Sequence, residues 1–316
     1  MRVVFMGTPE FAVNTLEAIL SAGHEVCAVV TQPDKPKGRG KTLQYTPVKE
    51  VAVREHIEVL QPVRIKEEAV YEQLKSYAPD VIVVVAYGQI IPETILNLPR
   101  YGCINVHASL LPAYRGAAPI QWAVINGEKE SGVTTMFMAK GLDTGDMIDK
   151  VKVPLAEDET GGSLHDKLAQ AGAKLLLETL DKLEQNKAVR TPQDDAKSSY
   201  AHMLTKELGD IDWSRPAIEI ERLIRGLNPW PSAYTLLDGK VLKIWNAKVV
   251  EENAQWSAAV AGEVVEVDKK HFIVKTGKDC LAIEELQLAG KKRMLTDAFL
   301  RGYRLEKGTV LLRKTK

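Results

Sequence analysis

Asn105 and His107 stand two residues apart at the end of the short apolar run "CINVHAS", and Asp143 lies 36 residues beyond His107 in "KGLDTGD". Side chains alternate along a strand, so Asn105 and His107 share one face. An amide can donate an N–H to a developing oxyanion, and an imidazole can donate when charged or relay a proton near neutral pH. A carboxylate facing that imidazole would orient it. Gly141 and Gly145 bracket Asp143 and predict a tight turn with close backbone approach. The same residues also suit a bland reading: a buried polar pair tying down a loop, and a turn aspartate bonding to its own backbone.

Those side chains need a frame that brings them together. "RVVFMG" reads as a strand, followed by a helix over "PEFAVNTLEAILSA" with Thr8 as its cap and Pro9 at its first position. "HEVCAVVT", "IEVL", "DVIVVVAYG" and "YGCINVHAS" read as further strands, with helices from about Pro47 and over Lys66–Tyr77 between them. Apolar strands alternating with helices predict an α/β, Rossmann-like, doubly wound and mostly parallel sheet. In such a sheet ligands bind beyond the carboxyl ends of the strands, where Asn105 and His107 would point. "VTTMFMAKGLDTGDMIDKVKVPL" alternates like an antiparallel hairpin, and a long amphipathic helix follows over about Gly161–Gln185. The loop "QPDKPKGRGKTLQYTP" is too rich in Pro, Gly and Lys to pack.

The chain has 316 residues, longer than one core usually spans. The expected division is a catalytic domain over 1–189, a polar linker over 190–204, and a domain over 205–316. After the linker the pattern changes to a helix near Arg215–Leu227 and short strands with Gly and Asp-Gly turns. These predict a small C-terminal β-barrel of OB-like type. With 45% hydrophobic and 27% charged residues the composition is that of a soluble globular protein, and no apolar run is long enough for a bilayer. "MRVVFMG" enters a strand directly, without a signal peptide, and Cys27, Cys103 and Cys280 lack disulfide or zinc spacing. Both features point to the cytoplasm, with no metal and no membrane partner. Cys103 reads as a core filler, and the other five histidines as surface or satisfied groups. "FMGTPEF" lacks a G-x-G-x-x-G fingerprint, so NAD is not expected. Formal net charge is zero, yet nine of the residues from Lys291 to Lys316 are basic against Asp297 and Glu306. That basic end fits either a polyanionic partner or a solvated tail.

"INVHASLLPAYRGAAPIQWAVINGE", with "GLDTGD" downstream, closely resembles the folate-dependent formyltransferases, which move the formyl group of 10-formyltetrahydrofolate to an amine. "MGTPEFAV", "TQPDKPKGRGK" and "GLNPWPSAYT" are similar to the bacterial branch whose amine is methionyl initiator tRNA. The resemblance spans almost the whole chain. It implies that Asn105, His107 and Asp143 are catalytic and that Ser109, Leu110, Leu111 and Pro112 contact the folate. Ala113 stands where relatives often carry a basic residue. Within the loop, Lys37, Arg39 and Lys41 suit a solvated loop, a contact to the folate glutamate or a clamp on nucleic acid; they are taken as candidate tRNA contacts, because an arginine between glycines can reach the unpaired acceptor end. Lys291, Lys292 and Arg293 are candidates on the β domain. A monomer is expected. A formyltransferase acting on a purine precursor or nucleotide sugar, a silent RNA-binding module and a dehydrogenase are the competing readings.

Overall fold

The computed structural model describes residues 1–37 and 42–314, and the side chains of all of these except Lys37 and Thr42. The chain divides into two compact units, each drawn from separate stretches. Met1–Pro119, Glu130–Pro154 and His165–Ala201 form the first; Ile120–Lys129, Leu155–Leu164 and the chain from His202 onward form the second. The segment expected as a linker is therefore packed into the first unit as far as Ala201. Several of its polar side chains, which gave it a linker's composition, bond to residues far away in the chain: Gln193 and Asp195 engage Arg115, and Gln193 also the Asp143 and Gly145 carbonyls.

The first unit opens with β1 (Arg2–Gly7), α1 (Val13–Ser21) and β2 (Glu25–Val30). A hairpin of β3 (Lys35–Lys37) and β4 (Thr42–Gln44) leads to α2 (Pro47–Arg54) and β5 (Val59–Leu60). Then come α3 (Glu68–Ser76), β6 (Val81–Val85), α4 (Glu93–Leu96), β7 (Cys103–His107) and β8 (Arg115–Gly116). Next in the chain, α5 (Pro119–Ile125) falls to the second unit from Ile120 on; the first unit's sheet resumes with β9 (Glu130–Phe137) and β10 (Met147–Pro154), followed by α6 (Gly161–Glu184), which belongs to this unit from His165, and β11 (Tyr200–Ala201).

The main sheet has the order β10-β9-β7-β6-β1-β2-β5. Strands β7, β6, β1, β2 and β5 pair in parallel; β9 is antiparallel to β7, and β10 to β9. This is the doubly wound arrangement the apolar strands predict, with the hairpin added at one edge. Val4, Met6, Ile82, Val84 and Cys103 share one buried cluster with Leu74, Ile95 and Leu96 from α3 and α4. On the opposite face a Cβ at Gly172 of α6 would lie 3.0 Å from Val106, so a small residue lets helix and sheet approach. Burying one such aliphatic side chain stabilises the fold by about 1.5–3 kcal/mol.

Two local expectations change. The segment after Thr8 begins as a 3-10 turn, Glu10–Ala12, and Thr8 does not cap it. Its hydroxyl instead donates to the Tyr87 carbonyl at 2.9 Å and accepts from the Gln32 amide at 3.3 Å, tying three strand ends together. The loop from Gln32 to Pro47 is also not wholly irregular: Lys35 pairs with Gln44 and Lys37 with Thr42. Its base is held by Lys49, which donates to Asp34 and Gln61, and by Gln61 Nε2, which donates to Asp34 and to the Gln32 carbonyl.

The second unit contains α7 (Ala217–Gly226) and β12 (Ala233–Leu237), β13 (Lys240–Val250), β14 (Val264–Val267), β15 (Phe272–Lys275), β16 (Cys280–Leu288) and β17 (Met294–Leu295), then α8 (Thr296–Gly302). Its antiparallel sheet runs β12-β13-β16-β15-β14, with β17 on β16. The chain's last described stretch spans the two edges: Leu312 bridges Leu236 of β12, while Val310 bridges Glu263 beside β14. That stretch closes the sheet into a barrel, so neither edge is left unpaired there. Among the described residues, no helix is long and apolar enough to cross a membrane.

Candidate active site

Strand β7 is inserted between β6 and β9, with Asn105 opposite Val84 on one side and Met136 on the other. Asn105 and His107 fall on the same face and are both buried, at 9% and 7% exposure. Asp143 reaches them from the β9–β10 turn. Asn105 Nδ2 lies 3.4 Å from Asp143 Oδ1, and His107 Nδ1 lies 3.6 Å from Asp143 Oδ2. The spacing predicted this convergence, and the structure brings all three side chains together. Asp143 Oδ2 also accepts from the Gly116 amide at 2.9 Å.

The imidazole is oriented from its other side by Tyr114, whose carbonyl oxygen lies 2.9 Å from Nε2. A carbonyl only accepts, so Nε2 carries a proton and Nδ1 faces the carboxylate. Tyr114 holds φ 59° and Asp143 φ 54°, both in the left-handed region that non-glycine residues avoid. Backbone is thus constrained on both sides of the histidine, and such strain gathers at working sites.

The run after β7 is built as a rigid turn. Ser109 Oγ donates to the Ala113 carbonyl at 2.6 Å, so Ala113 is used through its backbone. Leu111 N donates to Thr134 Oγ1, which in turn donates to the Ser109 carbonyl at 2.7 Å. Leu111 sits in a small core cluster with Met136 and Met147. Ser109 and Leu111 are therefore supports of the turn, and Leu110 and Pro112 keep partly exposed surface. Lys150 donates to the Leu111 carbonyl from β10, and burial lowers its pKa.

Several participants were not singled out from sequence. Gln193 donates to the carbonyls of Asp143 and Gly145 at 2.7 and 2.8 Å. Arg115 donates to Gln193 Oε1 through Nε and Nη2 at 3.0 and 2.9 Å. Gln193 lies in "TPQDDAKSSY", where composition alone signals only polarity; Arg115 was visible beside the motif without an assignable role. Cys103, at the far end of β7, is buried and its thiol is pushed up to about 12 by that burial, which fits a core filler.

The basic candidates are placed differently. Arg39 and Lys41 lie outside the described residues, as does the side chain of Lys37. Lys291 and Lys292 are exposed in the turn between β16 and β17. Arg293 is also exposed but engaged: it bonds both oxygens of Glu285 and stacks over Trp245 at 4.6 Å. Arg301, Arg304 and Arg313 likewise pair with Asp297, Glu306 and Asp212. The C-terminal excess of positive charge is thus partly neutralised within its own unit.

The fold is thus an α/β, mostly parallel sheet that presents an amide, an imidazole and a carboxylate together at one strand end. Comparison with known proteins gives its kind. Residues 1–180 match the family described as "Formyl transferase", and residues 203–304 match "Formyl transferase, C-terminal domain". The protein named "Methionyl-tRNA formyltransferase" from Agathobacter rectalis is 60% identical over 309 residues, covering 98% of this chain and 99% of that protein. The one so named from Lachnospira eligens is 57% identical over 313 residues, covering 98% and 99%. The chain belongs to the formyl transferase family, in the branch of the methionyl-tRNA formyltransferases.

Solved structures share the fold at low identity. The N-formyltransferase from Helicobacter canadensis, in complex with folinic acid and dTDP-3-aminofucose, superposes with a TM-score of 0.64 at 20% identity, covering 89% of this chain and 98% of that one. HypX from Aquifex aeolicus in complex with tetrahydrofolic acid gives 0.63 at 18% identity, covering 99% and 51%.

Proposed function

We propose that this protein transfers the formyl group of 10-formyltetrahydrofolate to the α-amino group of methionyl initiator tRNA. The observation that carries the reading is a near-full-length match, at 60% identity, to a protein of that name in a chain whose Asn105, His107 and Asp143 converge at one strand end. The nucleophile is a free α-amine, a type with pKa near ~8, so a useful fraction is already neutral. It attacks the formyl carbon and forms a tetrahedral oxyanion.

Asn105 has two amide hydrogens, of which one faces Asp143 and the other is available to the oxyanion. His107, held between Asp143 and Tyr114, gives the second polar contact to that oxygen by sharing its Nε2–H between the Tyr114 carbonyl and the oxyanion. A well-placed donor of this kind is worth roughly 3–4 kcal/mol in the transition state. The intermediate collapses by breaking the carbon–N10 bond, and the proton lost by the amine passes to N10 with the help of Asp143 and His107. Leu110 and Pro112 border the folate, on a turn stiffened by Ser109, Leu111 and Thr134. The second unit, together with the loop carrying Lys37, Arg39 and Lys41, holds the tRNA. The enzyme works as a cytoplasmic monomer.

The deciding experiment is formylation of Met-tRNA by 10-formyltetrahydrofolate, run beside glycinamide ribonucleotide and an amino-sugar nucleotide. Formylation of either small amine with Met-tRNA left unmodified would overturn the assignment. Arg39→Ala should weaken Met-tRNA use and flatten its salt dependence, because phosphate contacts release counterions. Folate affinity should be unchanged.

A further inference from the structure

Asp143 is held by more than its neighbours in the trio. The Gln193 amide bridges two turns: its NH2 group donates to the Asp143 and Gly145 carbonyls, and its oxygen accepts twice from Arg115. The partners fix which way round the amide sits, since carbonyls only accept and a guanidinium only donates. Gly116, next to Arg115, then donates its own amide to Asp143 Oδ2. A closed ring of hydrogen bonds therefore runs from Arg115 through Gln193 to the Asp143 backbone, and from the Asp143 carboxylate back to Gly116.

That ring bears on a residue in an unfavourable backbone conformation, Asp143 at φ 54°. Without Gln193, the Asp143 and Gly145 carbonyls would have to find other donors, and the turn could relax toward ordinary geometry. The rest of the segment is fastened in the same direction. Arg115 also donates to Asp195 at 2.8 Å, Ser199 accepts from the Tyr114 and Arg115 amides, and the Ala117 amide donates to Ala201. Both turns flanking His107 are thus tied to residues 193–201.

We infer that Gln193 is a positioning residue for formyl transfer, which sets the Asp143 carboxylate against His107 by fixing the turn that carries it, with Arg115 locking the Gln193 amide. The inference rests on the reading of Asp143 as a working member of the trio. Gln193 reaches the reaction only through Asp143, so it governs turnover more than substrate affinity.

The test uses the full-length protein with 10-formyltetrahydrofolate and Met-tRNA. Gln193→Met keeps the length of the side chain and removes every hydrogen bond; kcat should fall about tenfold to a hundredfold, the scale of a small misplacement of a reacting group. KM for both substrates should stay near wild type. Gln193→Glu retains an acceptor for Arg115 but turns an oxygen toward the Asp143 and Gly145 carbonyls. Its kcat relative to wild type should be low at neutral pH and recover toward acid pH, as the introduced carboxyl gains a proton and donates again. A Gln193→Met enzyme with wild-type kcat, or a Gln193→Glu to wild-type ratio flat with pH, overturns the inference. Should Gln193→Met fold poorly, the pH dependence of Gln193→Glu decides alone. Asp143→Asn is measured in parallel: if it keeps wild-type turnover, the underlying reading of Asp143 fails; if it is inactive while Gln193→Met is normal, only the positioning role fails.

Discussion

His107 stands between two acceptors: Asp143 Oδ2 is 3.6 Å from its Nδ1, and the Tyr114 carbonyl oxygen is 2.9 Å from its Nε2. Neither acceptor can move freely, because Tyr114 and Asp143 both have positive φ, the Tyr114 amide donates to Ser199 Oγ, and Asp143 accepts from the Gly116 amide and the Gln193 side chain. The ring is therefore held before any substrate arrives. Preorganised polar groups are effective because they need no reorientation when charge develops. His107→Ala and Asn105→Ala should each lower kcat by about a hundredfold or more. The thermal midpoint should move little, and single-turnover formylation of Met-tRNA checks the rate. Near-wild-type turnover in His107→Ala would remove the proposed mechanism.

Gly145 tests the turn that carries Asp143. A Cβ built there would lie 1.8 Å from the Phe137 carbonyl oxygen, which is backbone and cannot give way. The close approach expected from "GLDTGD" is thus to the protein's own strand β9. Gly145→Ala should push the turn off β9, with loss of formylation and a lower thermal midpoint. Gly239→Ala is a suitable control: a Cβ there meets nothing within 4 Å, although its φ of +72° still carries local strain. Equal midpoints and equal activities for the two variants would contradict the steric account.

Acid should expose the network at the base of the β3–β4 hairpin. Asp34 has its pKa lowered from 3.8, chiefly by the hydrogen bond from Lys49. A carboxyl depressed in the folded state contributes stability above its unfolded pKa, and that contribution is lost as pH falls through the folded value. Lys49→Met keeps the apolar stem and removes the ammonium. The stability gap between wild type and Lys49→Met should be constant above the ordinary value of 3.8 and shrink below it. Urea midpoints measured across that range would show it; a gap independent of pH would mean that the pair adds nothing.

The parallel sheet and the trio were legible for the same reason. Strands buried on both faces must read as unbroken apolar runs, so Asn105 and His107 stand out within "CINVHAS". What sequence did not reveal was the support. Thr8 has the type and position of a helix cap, but the Tyr87 carbonyl and Gln32 amide claim its hydroxyl, and both are distant in the chain. Gln193 gave no signal because a polar residue in an aperiodic stretch reads alike whether solvated or bonded across two turns. The partners of Arg293 were equally hidden: a basic residue in a basic stretch suggests an anion, and pattern says nothing of Glu285 and Trp245, which engage it in the fold. Side-chain partners far apart in sequence are set by the fold, and local pattern carries no record of them.

The last stretch of the chain offers a separate test, since it reads as a basic tail but acts as a closing strand. Leu311 is buried at 2% exposure and belongs to the main core of the second unit with Leu237, Val264 and Trp213. The Leu311 amide donates to the Gly262 carbonyl, and Leu236 and Leu312 exchange backbone hydrogen bonds. Leu311→Ala should therefore destabilise the second unit by about 2–5 kcal/mol, the usual range for emptying a buried leucine site. Lys314→Ala, at an exposed position beyond it, should leave stability within about 0.5 kcal/mol. Hydrogen exchange separates closure from general loosening: in Leu311→Ala, protection should fall first at Leu236 and Val264, whose amides donate to Leu312 and Thr309. Protection at β1 and β6 should persist. If Leu311→Ala melts like wild type, the C-terminal stretch is an ornament on a sheet that stands without it.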